Sequence, residues 1–289
     1  MVAPDREKLR AAFRRGGERT STELPGALPV ETGDELRALL QRRLQERRAK
    51  LSPVELPPGE VAQNAHGVYW RRQLRYPLAH RHGAMALGRA LLLDGDRLAV
   101  LAKDPAFATL DPRQCLFFDT ETTGLSGGAG TVVFNVGLGW FEDGFFVLEQ
   151  LFLRDFGEEP AMLMAVAERL QQRPVLVSYV GKSFDRHRIA ARLAVHRLQA
   201  PILTAQHLDL YYAARRAFGK QLPDCKLRTV EEQRLSLHRA DDLPGSEAPV
   251  AFLQWLRDRT GQIDRVLEHN RLDVLSVAAL LGLIAGREG

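Results

Sequence analysis

Cys115-Leu116-Phe117-Phe118-Asp119-Thr120-Glu121-Thr122-Thr123-Gly124-Leu125 is the stretch on which the reading of this chain turns. Its apolar run, Leu116–Phe118, predicts a buried strand bounded by a polar, Gly-containing turn. Asp119 and Glu121 stand two residues apart at the end of that strand. A strand sends alternate side chains to opposite faces, so both carboxylates emerge on the same side. Two anions held that close repel unless a cation sits between them, and hard oxygen ligands select Mg2+ or Mn2+.

Around this stretch lies a chain of 289 residues, enough for one or two domains with a sizeable core. Its 45% hydrophobic and 26% charged content is that of an ordinary soluble globular protein. Cys115 and Cys225 stand at unrelated positions, which excludes a disulfide framework and a Cys-pair zinc site and suits a reducing compartment. The first residues carry charges from Asp5 onward and no signal-peptide apolar core, so a cytoplasmic location is expected. The longest apolar run, Val274–Ala285, is too short to span a membrane and reads as a core helix. Residues 1–110 hold 19 Lys and Arg against 13 Asp and Glu, whereas residues 111–289 hold 21 against 23. A basic part able to meet phosphates is thus joined to an acidic part able to meet cations.

That basic part, residues 1–110, reads as an N-terminal extension of three pieces. Residues 1–33 lack a sustained apolar period and suggest a flexible arm. Asp34–Leu51 suits a helix with Leu36, Leu39, Leu40 and Leu44 on one face and Arg42, Arg43, Arg47 and Arg48 elsewhere. Pro53, Pro57 and Pro58 then mark a linker. Gly67–Ala84 mixes Tyr69, Trp70 and Tyr76 with arginines and histidines, which suits either stacking on nucleic acid or a strand with one packed face. His66, His80 and His82 have no metal-ligand spacing. Ala90–Leu93 and Arg97–Leu101 predict a hairpin around Asp94-Gly95-Asp96.

Residues 111–289 alternate strands and helices. After the first strand, Val132–Trp140 and Phe145–Leu153 predict a hairpin, Pro160–Gln171 a helix and Val175–Tyr179 a fourth strand. The glycines at 127, 128 and 130 are not followed by a Lys-Ser/Thr pair opening a helix, and Gly181-Lys182-Ser183 lacks a glycine at position 176, so neither is a P-loop. A helix is expected from Asp185 to about Arg197, a fifth strand at His207–Leu210, and helices near Tyr211–Phe218, Leu227–Leu235, Ala248–Arg259 and Gln262–Ile284. On the last helix His269 and Asp273 are four residues apart, about 40° around the axis, so both can face one site.

Three pieces together, Asp119/Glu121, Phe184-Asp185 and His269/Asp273, resemble the motifs of DnaQ-like (DEDD) 3′–5′ exonucleases of the RNase H-like superfamily. The stretches 121–128, 181–185, 242–245 and 269–274 are most similar to the bacterial YprB-type RNase H-like domain family. The resemblance implies an α/β RNase H-like fold over residues 111–289, with a five-stranded mixed sheet flanked by helices. It implies that Asp119, Glu121, Asp185 and Asp273 hold two divalent metal ions, with His269 as general base. Thr122, Leu125, Lys182 and Asn270 would then contact substrate. Two positions depart from the pattern: Val180 stands where an Asn is frequent, and His269 lies at the spacing common for Tyr in the sister subfamily.

The implied reaction is hydrolysis of phosphodiester bonds at single-stranded DNA or RNA ends, with the metals clamping the scissile phosphate. Imidazole changes charge near neutral pH and suits taking a proton from water. An RNA-processing or structure-specific nuclease and a non-catalytic nucleic-acid-binding module remain open alternatives. A membrane partner is not expected, and the residues name no protein partner.

Overall fold

The computed structural model describes residues 53–124 and 130–286. The basic arm, the Asp34–Leu51 helix, Leu125 and Gly127, Gly128 and Ala129 lie outside the described residues.

The strands are β1 (Glu60–Asn64), β2 (Gly67–Pro77), the two-residue β3 (Arg81–His82) and β4 (Met85–Ala86), β5 (Cys115–Thr122), β6 (Val133–Glu142), β7 (Phe145–Phe152), β8 (Val175–Ser178) and β9 (Gln206–Asp209). The helices are α1 (Gly95–Ala102), α2 (Glu159–Gln172), α3 (Asp185–Val195), α4 (Leu210–Phe218), α5 (Leu227–Val230), α6 (Ala248–Asp258) and α7 (Ile263–Ala285). One mixed sheet runs in the order β1-β2-β7-β6-β5-β8-β9. Its β5–β8 and β8–β9 pairs are parallel and the others antiparallel.

The five expected strands are present, and β1 and β2 widen the sheet to seven. Trp70 pairs with Phe152, and Tyr69 and Trp70 are buried in the core, so these aromatics pack rather than offer a stacking platform. Tyr76 Oη accepts a hydrogen bond from Arg271 at 2.8 Å.

Strand β5 shows how the sequence divides the core. Leu116 and Phe118 pack with Met162, Ile189, Phe252 and Trp255 from α2, α3 and α6 on one face. Cys115 and Phe117 pack with Leu98, Phe218 and the residues of α7 from Val274 onward on the other. A two-residue side-chain period thus feeds two layers of helices from one strand. The Val274–Ala285 run is the buried half of α7, and no helix among the described residues is long and apolar enough to cross a membrane. Cys115 is fully buried, with its thiol pushed up to about 12 by desolvation.

The expected hairpin over residues 90–101 is not formed: Leu87–Leu92 is a 3₁₀ turn and Gly95–Ala102 is helix. Asp94 is an N-cap, its Oδ1 accepting the Arg97 amide at 2.9 Å, and Leu98 and Leu101 supply the buried face. The same Asp-Gly pair serves a turn or a helix start, and packing of that apolar face decided for the helix. The expected helix at 227–235 is α5 followed by a π-helical turn, Glu231–Leu235.

Candidate active site

Glu121 pairs with Asn135 and Asp119 with Gly137 across the β5–β6 ladder. A Cβ at position 137 would run into the Asn270 carboxamide and Val274, so Gly137 is what lets α7 lie against the sheet at this point. Close approach brings Asn270 Nδ2 to Asp119, donating to its carboxylate at 2.9 Å and to its carbonyl at 3.2 Å. Gln150 holds Asn270 from behind, donating Nε2 to its Oδ1 at 3.1 Å. Asn270, expected from the resemblance to contact substrate, is completely buried and bonded to Asp119.

Asp185 opens α3 and comes from the other side of β5. Thr120, between the two acids of the strand, donates Oγ1 to Asp185 Oδ1 at 2.5 Å. The loop before it is clamped by Asp209, whose carboxylate accepts from the amides of Val180 at 2.8 Å, Lys182 at 3.1 Å and Tyr211 at 3.1 Å. Gly181 has no room for a side chain, since a Cβ would meet Ser178 Oγ at 2.6 Å and Asp185 Oδ2 at 2.9 Å. Val180 takes a left-handed φ of 66°, a region where Asn is tolerated and a β-branched side chain is strained.

From α7 come His269 and Asp273. His269 Nδ1 lies 2.7 Å from Asp242 Oδ1, and its Nε2 lies 3.7 Å from Asp273 Oδ2. Arg239, whose side chain is only 4% exposed, bonds Asp273 Oδ1 at 2.5 Å, contacts Glu231 and stands 3.7 Å from Asp242. Neither Arg239 nor Asp242 was assigned a role from the sequence. Asp242 falls in a motif-like stretch, but it is 27 residues from His269, and Arg239 is 34 from Asp273. No periodicity links positions that far apart.

The four carboxylates act on each other. Desolvation raises Asp119 and Glu121 well above the ordinary carboxylate range, and the nearby Asp273 and Asp185 add to it. Desolvation pushes Asp185 up to about 6 against the lowering hydrogen bond from Thr120. Asp119, Glu121, Phe184, Ser246, His269 and Asp273 line a cavity of about 450 Å3. A second cavity, of about 510 Å3, is lined by Tyr179, Val180, Tyr211 and Lys226, with Asp119 and Asp273 again in its wall. Asp119 and Asp273 therefore form a ridge between the two cavities, with Glu121 on the side of the first.

Among the described residues, no three His, Cys, Asp or Glu side chains stand close enough together to form a ready-made metal cage. Asp185 is bonded to Thr120 and Asp273 to Arg239. The donor set itself is all hard oxygen, and Asp119, Glu121 and Asp185 are raised above the ordinary carboxylate range, which is the chemistry of a divalent-cation site. Thr122 is buried in the wall of the first cavity and donates Oγ1 to the Gly124 carbonyl at 3.1 Å. Lys182 is exposed, and its side chain lines a different cavity, away from the acids.

A family model described as the RNase_H superfamily matches residues 116–285. An uncharacterised protein of Bacillus subtilis (strain 168), YprB, is 32% identical over 214 residues, covering 72% of this chain and 51% of its own. The chain thus spans about half the length of that curated relative. Among solved structures, the family B DNA polymerase of the archaeon Pyrobaculum calidifontis aligns with a TM-score of 0.46 at 17% identity, over 57% of this chain and 24% of the polymerase.

Proposed function

The chain belongs to the RNase_H superfamily, and from that premise we propose that it is a metal-dependent 3′–5′ exonuclease of single-stranded nucleic-acid ends. One observation carries the reading: Asp119 and Glu121 from β5, Asp185 from α3 and Asp273 from α7 come together, and burial and the neighbouring acids raise the first three above the ordinary carboxylate range. A protein with no use for a cation there gains nothing from that repulsion. These four residues would hold two divalent ions, Mg2+ or Mn2+. When bound, such ions lower the pKa of water and stabilise a leaving oxygen.

The chain's own residues supply the rest. Asn270 fixes the Asp119 carboxylate, so this acid keeps its orientation. Asp242, by accepting from His269 Nδ1–H, leaves Nε2 as the nitrogen able to take a proton at the cavity wall. The two cavities flanking the ridge suit a strand crossing it, with the terminal nucleotide in one and the remainder in the other.

The test is an end-labelled single strand of DNA, and separately of RNA, incubated with Mn2+ or Mg2+ and with chelator. Stepwise shortening from the 3′ end in metal and none in chelator is expected. Internal cuts would give an RNA-processing or structure-specific nuclease instead. Strand binding with no cleavage in either metal would refute the enzyme reading in favour of a binding module.

A further inference from the structure

Lys182, expected to contact substrate, lines a cavity other than the one the acids line, and the place it occupies is a site of its own. A cavity of about 690 Å3 opens between the C-terminal end of α1, the loop at Lys182, β9 and α4. Lys103, Lys182, Arg215 and Arg216 stand at its rim, all exposed. The single acid in its wall is Asp209, whose oxygens are committed to the amides of Val180, Lys182 and Tyr211. The excess positive charge is therefore not neutralised from within.

The cavity is built rather than an accident of surface lysines. Arg216 donates to the Leu101 carbonyl at 2.5 Å, tying α4 to α1 across it. His207 in its wall is 4% exposed, with Nε2 2.7 Å from Ser178 Oγ and Nδ1 lacking a hydrogen-bond partner among the described residues. Such a buried polar atom is normally paired. Tyr212, 48% exposed, offers a ring at the mouth. Cations around a pocket with an exposed aromatic are the combination that holds a nucleic-acid strand, phosphates by charge and a base by stacking.

Lys182 and Phe184 place the cavity on the path to the acids. Phe184 lines the carboxylate cavity and Lys182 this one, so the Val180–Asp185 loop is the wall between them. From Lys182 to Asp185 is three residues, at most roughly 10 Å of chain. We infer that this basic cavity is a second strand-binding site, holding backbone phosphates and a base of single-stranded nucleic acid upstream of the ridge of acids. The strand's identity rests on the nuclease reading, but its binding can be measured without cleavage.

The experiment is fluorescence anisotropy of a labelled 12-nucleotide single strand in chelator, across a KCl series, on the full chain. Variants are Lys103→Gln/Lys182→Gln/Arg215→Gln, Tyr212→Ala, Lys182→Gln alone, and Arg113→Gln as a control charge-matched to Lys182→Gln, its ion-pair partner among the described residues being Asp111. Arg216 is left intact because it ties α4 to α1. The triple variant is expected to bind about tenfold or more weakly at low salt, with its log–log slope shallower by about 0.7 for each phosphate that is no longer neutralised. Tyr212→Ala is expected to weaken binding by about five- to a hundredfold with the slope unchanged. Arg113→Gln should match the unsubstituted protein. An unsubstituted protein that does not bind the strand, or a triple variant keeping its affinity and slope, overturns the proposal. A failure of the nuclease reading looks different: no cleavage in Mn2+, with the variants still separated in binding. Lys182→Gln alone, in an exposed loop, repeats the test should the triple variant unfold.

Discussion

The ridge of acids and the basic cavity are separated by one six-residue loop, Val180–Asp185, and they are built on opposite principles. At the ridge the acids are buried or half-buried, and Thr120, Asn270 and Arg239 hold Asp185, Asp119 and Asp273. At the cavity the cations ride on long exposed side chains. Burial makes a charge dependent on its neighbours, because the interior solvates it poorly. Exposure makes it nearly indifferent to them. Substitutions at the ridge should therefore move stability and activity together with metal, while those at the cavity should move strand affinity alone.

The largest contrast is expected from the acids. Asp119→Asn or Asp273→Asn should abolish metal-dependent cleavage, by about 10³-fold or more, because each removes a donor from a shared site. Asp119→Asn should also raise the melting temperature in chelator, since it removes a buried carboxylate whose ionisation the fold opposes. Lost activity with a lowered melting temperature in chelator would break the comparison at its strongest point.

Next comes Arg239, the internal cation. Arg239→Gln leaves Glu231, Asp242 and Asp273 without their shared positive charge. Breaking one side of a buried pair costs about 3–5 kcal/mol. That corresponds to a fall of about 10 °C in melting temperature for a chain of this size. Added Mn2+ should recover much of it, because a bound cation would take over the same charge. A variant equally unstable with and without Mn2+ would confine Arg239 to a structural part.

The pH dependence follows from Asp185. Its carboxyl rises from 3.8 to about 6 on folding, so near pH 5 the native state binds more protons than the unfolded state. Stability then falls as pH rises. In chelator the melting temperature should drop by a few degrees between about pH 4 and pH 6–7, a loss moderated by Asp185→Asn. Melting curves in a buffer series check it, and a temperature rising over that window in the unsubstituted protein would reverse the sign. Asp119 and Glu121 act in the same direction.

The smallest effects separate two residues of the loop itself. Val180→Asn should stabilise by about 1 kcal/mol, relieving a β-branched residue at φ 66° on a 42% exposed position. Lys182→Gln should change stability by less than about 0.5 kcal/mol. Denaturant midpoints measure both, and a larger effect at Lys182 than at Val180 would contradict the division between the two sites.

Much of this molecule could be read without its structure. Strand β5, the hairpin of β6 and β7, helices α2, α3, α4, α6 and α7, and the facing of His269 and Asp273 on one helix were legible. Each depends on side-chain periods of two or 3.6 residues, which are properties of local backbone geometry. The hairpin expected at 90–101 marks where that reasoning stops, because Asp94-Gly95 permits either structure locally and packing of Leu98 and Leu101 chose the helix.

The character of the site was decided at a distance. Gly137 matters because α7 crosses it, Thr120 because Asp185 arrives on its face, and Asp242 and Arg239 because the chain folds back over α7. Asn270 looked like a residue for substrate and became a brace for Asp119, since the turn of α7 that exposes His269 buries its neighbour. By itself the sequence determined which residues could ionise, and which would share a face within one element. Only the tertiary structure decided which charges would be desolvated together, and with which partners, because desolvation and long-range pairing depend on everything that closes over a residue.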